Sequence, residues 1–397
     1  MKKKVFIVLH TLAVGGAERH ASSIANYLSE NDYDVIIILL DNETVAFQLN
    51  EGVKVIALPN LKYPDNIKKE HPGLKESVLL KAYKRTSKKE YIYFDRFLYY
   101  KLHYIDKLSW FFEQQEDIDN SIVISFMPIP NICCSAIQKE FNYKLILGEF
   151  NSPQLEFAPD APENKMKEKY FPNADGFVFQ TEEQKDFYLY LTDVKKQIIP
   201  NPIEEIEVQP FVGVRKKEIV NFCRLSAAKN IPLLISAFAQ IVKKHPDYSL
   251  VIYGEGPEKS EIESCILKYG LSEKVCLLPF AENVLQLVRD SAIFVSSSDR
   301  EGISNSMLEA MAIGLPVVCT DCPAGGARMF IKPYENGILV PVRDQQALAE
   351  AMIYMIEHPK DAEKMGRNAV EIRNTLEKDK ILGQWLSFIK AVEEKNV

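Results

Sequence analysis

The first forty residues alternate between apolar runs and one amphipathic stretch. Lys4–His10 is a short apolar run rich in β-branched residues, and Val35–Leu40 is a second one. Between them, Ala17–Ser29 repeats apolar residues at helical spacing after a loop at Thr11–Gly16. Buried parallel strands have such near-continuous apolar runs, so this segment predicts a β-α-β unit.

The same alternation recurs in two series. The first continues with predicted strands at Ser121–Phe126, Lys144–Leu147 and Asp175–Gln180 and helices at Asn131–Glu140 and Glu182–Leu191. The second has predicted strands at Glu218–Cys223, Ser249–Tyr253, Val275–Leu278, Ala292–Ser296, Pro316–Cys319 and Gly337–Val340. Helices are predicted between them at Ile231–Lys244, Lys259–Tyr269, Val284–Asp290 and Asn305–Ile313. Strands that alternate with helices indicate an α/β protein with parallel, doubly wound sheets.

The two series predict two Rossmann-like domains. Pro200 and Pro202 fix the backbone between them and form a stiff linker. We therefore expect an amino-terminal domain at 1–200 and a carboxyl-terminal domain at 201–375. The tail has three amphipathic helices, around Gln345–Glu357, Ala362–Thr375 and Lys380–Glu394, and we expect residues 376–397 to pack back on the first domain.

Composition narrows the class of protein. A chain of 397 residues with 47% hydrophobic and 26% charged residues is typical of a soluble two-domain protein. No run reaches the roughly 20 apolar residues of a membrane-spanning helix. The net charge of −7 argues against nucleic-acid binding. Seven scattered cysteines fit free thiols in a reducing compartment, so we expect a cytoplasmic location.

One segment, 62–116, breaks the alternation. From Lys62 to Lys107 it has 12 Lys and Arg against 6 Asp and Glu, and its second half, which we expect to be helical, is rich in aromatic residues. Cations and aromatics together favour anionic membrane surfaces, which suggests peripheral docking at the inner leaflet. The alternative is a helical hairpin whose aromatics fill a core and whose lysines are solvated. Both hypotheses remain open at this point.

The candidate chemistry lies in loops that follow predicted strands. Arg224 and Lys229 flank the first such loop of the second series, where two cations could bind a diphosphate. Glu301 lies in a later loop, and Ser306-x-x-Glu309 matches a capping-box pattern in which Glu309 would lie in the first helical turn. Each motif also has a structural explanation, as surface cations or a helix cap.

Glycines mark further loops on the same side of the predicted sheets. Gly15 and Gly16 follow the first strand, and Gly254 and Gly256 follow a strand of the second series. Glycines there let backbone N–H groups approach an anion. The spacing is not G-x-G-x-x-G, which argues against a nicotinamide-dependent oxidoreductase. Two Asp-x-Asp strings, at 32–34 and 117–119, precede strands and are expected to be structural or solvated, so no metal site is predicted.

Together these motifs resemble those of the retaining glycosyltransferases of family 4, also called group 1, which have the GT-B fold. The sequence from Glu301 to Ala310 is similar to the family's Glu-x7-Glu signature, and Arg224 with Lys229 is similar to its phosphate-binding pair. The Pro200–Pro202 linker and the glycine motifs also match. The resemblance covers nearly the whole chain except the 62–116 segment.

The resemblance implies two Rossmann-like domains that face each other across a cleft. It implies a nucleotide-sugar donor, most simply a UDP-sugar, bound by the second domain without a metal or other cofactor. Arg224 and Lys229 would stabilise the leaving diphosphate, Glu309 would hold the ribose and Glu301 would contact the donor sugar. The implied donor-binding set is Gly15, Gly16, Arg224, Lys229, Gly254, Gly256, Phe280, Glu301, Gly302, Ile303, Ser304 and Glu309.

The first domain would bind a glycan or lipid-linked acceptor in the synthesis of cell-surface polysaccharide or glycoconjugate. Many relatives have a His after the strand predicted at Lys144–Leu147, whereas this chain has Glu149 and Asn151 there. We expect these two residues to contact the acceptor or the reacting centre, Glu149 as a catalytic group. A GT-B epimerase or phosphorylase, and a non-catalytic sugar-nucleotide-binding protein, remain as alternatives.

Overall fold

A computed structural model describes residues 2–13, 15–67, 73–86 and 88–394. Val14 of the predicted glycine loop, and residues 68–72 and 87 of the 62–116 segment, lie outside the described residues. The chain divides into two compact units. Unit 1 comprises residues 1–180, 184–199 and 382–397, and unit 2 comprises residues 181–183 and 200–381.

Unit 1 contains a parallel sheet of seven strands in the order β3-β2-β1-β4-β5-β6-β7. The strands are β1 (Lys3–Leu9), β2 (Tyr33–Leu39), β3 (Val53–Ala57), β4 (Ile122–Phe126), β5 (Lys144–Glu149), β6 (Gly176–Phe179) and β7 (Lys195–Ile198). The helices are α1 (Gly16–Glu30), α2 (Leu74–Thr86), α3 (Lys88–Tyr100), α4 (Asp106–Glu113), α5 (Pro128–Phe141), α6 (Pro162–Tyr170) and α7 (Glu182–Phe187). A π-helical segment, Lys101–Ile105, joins α3 to α4.

Unit 2 contains a parallel sheet of six strands in the order β10-β9-β8-β11-β12-β13. The strands are β8 (Lys216–Phe222), β9 (Ser249–Tyr253), β10 (Val275–Leu278), β11 (Ser291–Ser296), β12 (Val317–Thr320) and β13 (Ile338–Val340). The helices are α8 (Ile231–Lys244), α9 (Lys259–Lys268), α10 (Val284–Val288), α11 (Asn305–Ala312), α12 (Gly326–Phe330), α13 (Gln345–Glu357), α14 (Pro359–Ala369) and α15 (Ile372–Thr375). Helix α16 (Lys378–Glu393) begins in unit 2 and continues in unit 1 from residue 382.

Both strand orders are those of doubly wound sheets, as the alternating pattern predicts. Most residues of the central strands are buried, and all five residues of β4 are. In each sheet the direction of winding reverses between two neighbouring strands, β1 and β4 in unit 1 and β8 and β11 in unit 2. Ligands of such sheets bind at the carboxyl ends of the strands, near this reversal.

The 62–116 segment is helical over most of its described length. Aromatic residues of its second half enter the core of unit 1, where Phe112 is fully buried and Tyr100 and Phe111 are nearly so. This agrees with the packing hypothesis for those aromatics. The basic residues of α2 and the start of α3 are instead exposed, among them Lys81, Lys84 and Lys88.

Helix α16 ends in the core of unit 1. Trp385 and Phe388 are buried, and Trp385 packs edge-on against Phe126 with ring centroids 5.7 Å apart. A Cβ on Gly176 of β6 would meet Phe388 at 2.9 Å, which shows how closely the helix approaches the sheet. Glu393 at its end pairs with Lys3 of β1 at 2.8 Å. No helix within the described residues is long and apolar enough to cross a membrane.

Candidate active site

An ion pair in unit 2 joins Lys229, which follows β8, to Glu301, which follows β11. The Lys229 ammonium hydrogen-bonds Oε1 of Glu301, and both side chains are only 18% exposed. Ser298 donates a hydrogen bond of 2.9 Å to Oε2 of the same carboxylate. Because β8 and β11 are neighbours at the winding reversal, two residues far apart in sequence meet at the expected ligand edge.

Electrostatics keep the Lys229 ammonium charged. Burial alone would lower the pKa of Lys229, but the Glu301 carboxylate and its hydrogen bond outweigh burial and raise the pKa above its ordinary value. The ammonium is therefore a permanent cation at neutral pH, and it is the kind of group that stabilises a departing diphosphate.

Hydrogen bonds link the loop that follows β8 to the loop that follows β11. Asp299 N–H donates to the carbonyl of Ala228 at 2.8 Å, and the Asn230 side-chain amide donates to Asp299 Oδ1 at 2.9 Å. Ser297 Oγ donates to the carbonyl oxygens of Lys229 and Asn230, each at 3.0 Å. Sequence reasoning passed over these residues because an isolated Ser, Asp or Asn at a strand end is common and shows its partner only in the fold.

A third loop, after β12, is bonded to Glu301. Glu301 N–H donates to the Pro323 carbonyl at 2.7 Å, and Ala324 N–H donates to the Glu301 carbonyl at 2.8 Å. A small pocket opens beside it, lined by Ser296, Ser298, Glu301, Gly302, Ser304, Met307, Cys319, Thr320, Cys322 and Ala327. The predicted donor residues Glu301, Gly302 and Ser304 thus share one wall.

The glycines after β9 are required by close packing. A Cβ on Gly254 would lie 2.0 Å from the carbonyl oxygen of Cys223, and one on Gly256 would lie 2.1 Å from that of Leu225. The turn is pressed against the loop that carries Arg224, whose side chain is exposed. Phe280, after β10, is 60% exposed on the same edge of the sheet.

The capping box that was the structural alternative for Ser306 and Glu309 does not form, and the predicted place of Glu309 in the first helical turn is wrong. The N-cap of α11 is Ser304, whose extended backbone lets its hydroxyl accept from Met307 N–H at 3.4 Å. Ser306 lies inside the helix, and Glu309 lies after its first turn rather than within it. The Ser-x-x-Glu spacing is therefore coincidental, and Glu309 is only partly buried.

Glu149 of unit 1 ends β5 and is 1% exposed. Tyr188 donates a 2.7 Å hydrogen bond to Oε2, and Asn151 N–H donates to Oε1 at 3.3 Å. Burial, with the nearby Glu156 carboxylate, raises the pKa of Glu149 to about 7. Both oxygens of its carboxyl group accept hydrogen bonds from residues of unit 1. The predicted contact of Glu149 with an acceptor stays a prediction.

Asn151 is partly exposed beside this group. Its side-chain amide donates to Glu156 Oε1 at 3.2 Å, while Lys167 pairs with Oε2 of Glu156 at 3.0 Å. Gly16 is exposed and Gly15 partly buried at the start of α1, where the Glu18 carboxylate lies against Gly15. These predicted residues of unit 1 occupy the carboxyl edge of its sheet.

The structure places the Asp-x-Asp strings at the opposite edge. Asp32 and Asp34 pair with Lys2 and Lys54 at 3.6 and 3.3 Å. Across the described part of the chain, no group of three or more His, Cys, Asp or Glu side chains could hold a metal ion. Cys319 and Cys322 are buried free thiols.

Comparison with known proteins agrees with this geometry. Residues 202–371, which include the loops after β8, β9, β10, β11 and β12, match the model of the family described as glycosyl transferases group 1. A glycosyltransferase of Haemophilus influenzae described as uncharacterized is 23% identical over 98% of this chain and 100% of its own length.

Two further proteins extend the likeness over the whole chain. The Campylobacter jejuni N-acetylgalactosamine-N,N'-diacetylbacillosaminyl-diphospho-undecaprenol 4-alpha-N-acetylgalactosaminyltransferase is 26% identical over 98% of this chain and 99% of its own. A variant of Staphylococcus aureus TarM, solved with UDP and alpha-GlcNAc-glycerol, superposes with a TM-score of 0.73 at 18% identity, covering 99% of this chain and 100% of that one. The chain therefore has the GT-B fold, and its residues 202–371 are similar to the group 1 glycosyltransferases.

Proposed function

We propose that this glycosyltransferase moves an N-acetylhexosaminyl or hexosyl group from a UDP-sugar, with retention of configuration, to a glycan or lipid-linked acceptor. The observation that carries the proposal is the Lys229–Glu301 pair at the winding reversal of unit 2. A UDP donor is supported by TarM, which was solved with UDP. A lipid-linked glycan acceptor is supported by the name of the Campylobacter relative.

The donor site supplies charge without a metal. The Lys229 ammonium and the Arg224 guanidinium neutralise the diphosphate as its bond to the sugar breaks. When the donor binds, the Glu301 carboxylate releases Lys229 and accepts hydrogen bonds from the hydroxyls of the donor sugar. Ser298 keeps the carboxylate oriented through its own hydrogen bond. Glu309 accepts hydrogen bonds from the ribose diol. Gly254, Gly256 and Phe280 border the nucleobase, and Gly302, Ile303 and Ser304 line the sugar side.

Unit 1 supplies the remaining groups. Gly15 and Gly16 present backbone N–H groups to the diphosphate, where the start of α1 adds partial positive charge. Asn151 contacts the acceptor or the reacting centre, and Glu149 holds Asn151 in place through its backbone N–H. Retention follows from attack on the face that the diphosphate leaves, with the diphosphate receiving the acceptor proton.

A panel of UDP- and GDP-sugars tests the reaction. Acceptor-independent hydrolysis should be fastest with one UDP-N-acetylhexosamine, and UDP should raise the melting temperature. Nuclear magnetic resonance should show the first-formed product sugar in the α configuration of the donor. Epimerised donor without hydrolysis, or stabilisation by NAD alone, would overturn the proposal.

The enzyme acts at the cytoplasmic face of a membrane, in the synthesis of cell-surface polysaccharide or glycoconjugate. Helices α2 and α3 expose basic residues at Lys75, Lys81, Lys84, Arg85, Lys88, Lys89 and Arg96. Exposed apolar side chains lie among them, with Val78 at 60% and Ile92 at 42% exposure. A cationic surface with exposed apolar groups suits an anionic lipid headgroup layer.

Vesicle sedimentation tests the membrane contact. Replacing Lys81, Lys84, Arg85 and Lys88 by Gln should abolish binding to phosphatidylglycerol vesicles. A matched variant with Lys243, Lys244, Lys360 and Lys364 replaced by Gln removes four exposed cations elsewhere and should still bind. Equal binding by both variants, or no binding by the unaltered protein, would exclude this contact.

A further inference from the structure

A second polar and aromatic cluster, built from other residues than Glu149 and Asn151, lies at the carboxyl edge of the unit 1 sheet. His10 directly follows β1, and Asp41 follows β2 by two positions. Their backbones continue the pairing of the strands, since Asp41 N–H donates to the His10 carbonyl at 3.0 Å. The side chains meet as well, with 2.9 Å between His10 Nδ1 and Asp41 Oδ2.

The π-helical segment Lys101–Ile105 brings a tyrosine to this pair. The Tyr104 ring lies 6.0 Å from the His10 ring in an edge-on arrangement. Burial and a hydrogen bond to Asp41 raise the pKa of Tyr104, so its hydroxyl stays protonated and donates to the carboxylate. Single π-helical turns are rare and often lie at functional sites.

The contact with Asp41 fixes the chemistry of the imidazole. In the neutral imidazole whose Nδ1–H donates to the carboxylate, Nε2 carries the lone pair and is a hydrogen-bond acceptor. The His10 side chain is 30% exposed, and the described residues supply a hydrogen-bond partner for Nδ1 alone. A ligand hydroxyl could therefore donate to Nε2.

An exposed aromatic ring contacts Tyr104, the tyrosine that packs on His10. Tyr99 is 45% exposed, stacks on His103 with ring centroids 4.1 Å apart, and meets Tyr104 edge-on at 6.4 Å. His103 Nδ1 in turn hydrogen-bonds the Tyr99 carbonyl at 2.9 Å, which holds the stack. A rigid, half-exposed phenol beside hydrogen-bonding groups suits the apolar C–H face of a pyranose ring.

We propose that Tyr99, Tyr104, His10 and Asp41 form the binding site for the acceptor sugar. Tyr99 packs against the pyranose face, and His10 Nε2 accepts a hydrogen bond from one ring hydroxyl. Asp41 and Tyr104 position the imidazole. The inference rests on the proposed function and specifies its acceptor side. The site lies beside the winding reversal, because β1 is one of the two strands that border it.

The ligand class is a glycoside with a terminal N-acetylhexosamine, and the probes are the p-nitrophenyl N-acetyl-α-D-glucosaminide and N-acetyl-α-D-galactosaminide. Transfer and donor hydrolysis are both measured with UDP-N-acetylglucosamine and UDP-N-acetylgalactosamine. His10→Ala and Tyr99→Ala should each lower kcat/KM for the glycoside at least tenfold. Hydrolysis of the donor by water should stay within twofold, because the donor groups of unit 2 are unchanged.

The chain offers a matched histidine control. His245 also pairs with a carboxylate, Glu357 at 3.2 Å, but it precedes β9 and so lies at the amino edge of its sheet. His245→Ala should leave transfer unchanged, and Asp41→Asn should reduce it less than His10→Ala does.

Three results would overturn the inference: glycoside kcat/KM within twofold of normal in both variants, an equal fall in donor hydrolysis, or donor hydrolysis by the unaltered enzyme with transfer to neither glycoside. Absence of any donor hydrolysis in the unaltered enzyme would instead count against the proposed function itself.

Discussion

The carbonyl oxygen of Gly302 lies only 1.8 Å from the position that a Cβ on Gly326 would take. The first turn of α12 is therefore in direct backbone contact with the loop that follows β11. Because both groups are backbone, neither can move aside as a flexible side chain would. The position of the Glu301 loop depends on the absence of a side chain at residue 326.

Gly326→Ala should displace the Glu301 loop and lower kcat/KM for the donor at least tenfold. Steady-state kinetics with a UDP-N-acetylhexosamine measure the effect. Gly52→Ala is the control, because a Cβ there would meet only Ser29 at 3.8 Å, an ordinary contact. Equal donor kinetics in the two variants would show that the loop tolerates the added methyl group.

Lys229→Ala should reduce kcat about 100- to 1000-fold by removing the charge that stabilises the leaving diphosphate. It should also lower the melting temperature, because it leaves the Glu301 carboxylate partly buried and without its cation. The double variant Lys229→Met with Glu301→Gln should regain the melting temperature and remain inactive. Recovery of activity in the double variant would contradict the catalytic role.

Glu309→Ala should weaken UDP binding, measured by calorimetry, with little change in stability. Ser304→Ala should do the reverse and cost about 1 kcal/mol of unfolding free energy, because Ser304 is the N-cap of α11. Unchanged UDP affinity after Glu309→Ala would remove that residue from the proposed donor site.

Glu149 should make the protein less stable as the pH rises from about 4.5 to 7. In this interval the unfolded carboxyl ionises at its ordinary pKa of 4.5, while the folded one, with a pKa of about 7, keeps its proton. Glu149→Gln should flatten the dependence of the melting temperature on pH over this interval. Parallel profiles for the variant and the unaltered protein would show that the carboxyl titrates normally.

His20 should make the stability of the protein depend on pH with the opposite sign. Burial lowers the pKa of His20 to about 3, so stability is lost as the pH falls below the unfolded value of 6.5. Within the described residues neither ring nitrogen has a hydrogen-bond partner, and the ring packs on Phe150 at 5.2 Å and Trp385 at 5.7 Å. His20→Phe should therefore gain melting temperature relative to the unaltered protein at pH 5; a variant that loses it would show that the imidazole nitrogens contribute to folding.

The apolar runs predicted most of the sheets because central parallel strands are buried on both faces. Strand β3 was missed: Val53–Ala57 alternates buried, exposed and partly buried residues at the edge of the sheet, so its pattern is weak. The start of α11 at Asn305 was predicted correctly, but its N-cap, Ser304, was not identified. A Ser-x-x-Glu pattern is visible in the sequence, but which serine has extended backbone depends on the loop that precedes the helix.

Residues of the proposed donor site could be named from the sequence, but the pairing of Lys229 with Glu301 could not. Lys229 and Glu301 meet only because the crossover from β10 places β11 beside β8. His10 and Asp41 gave no signal at all, because an isolated His or Asp after a strand is ordinary. Their relation to Tyr104 depends on a π-helical turn within a segment whose composition suggested only cations and aromatics.

Helix α16 makes the folding of unit 1 depend on residues that are synthesised after unit 2. Unit 1 is synthesised first, yet residues 382–394, with Trp385 and Phe388, complete its core. At ordinary translation rates the intervening unit 2 takes roughly 10 to 40 s to synthesise. Until then the apolar groove of unit 1 that these residues fill stays open, and a nonsense codon late in the gene would spare unit 2 while leaving unit 1 without part of its core.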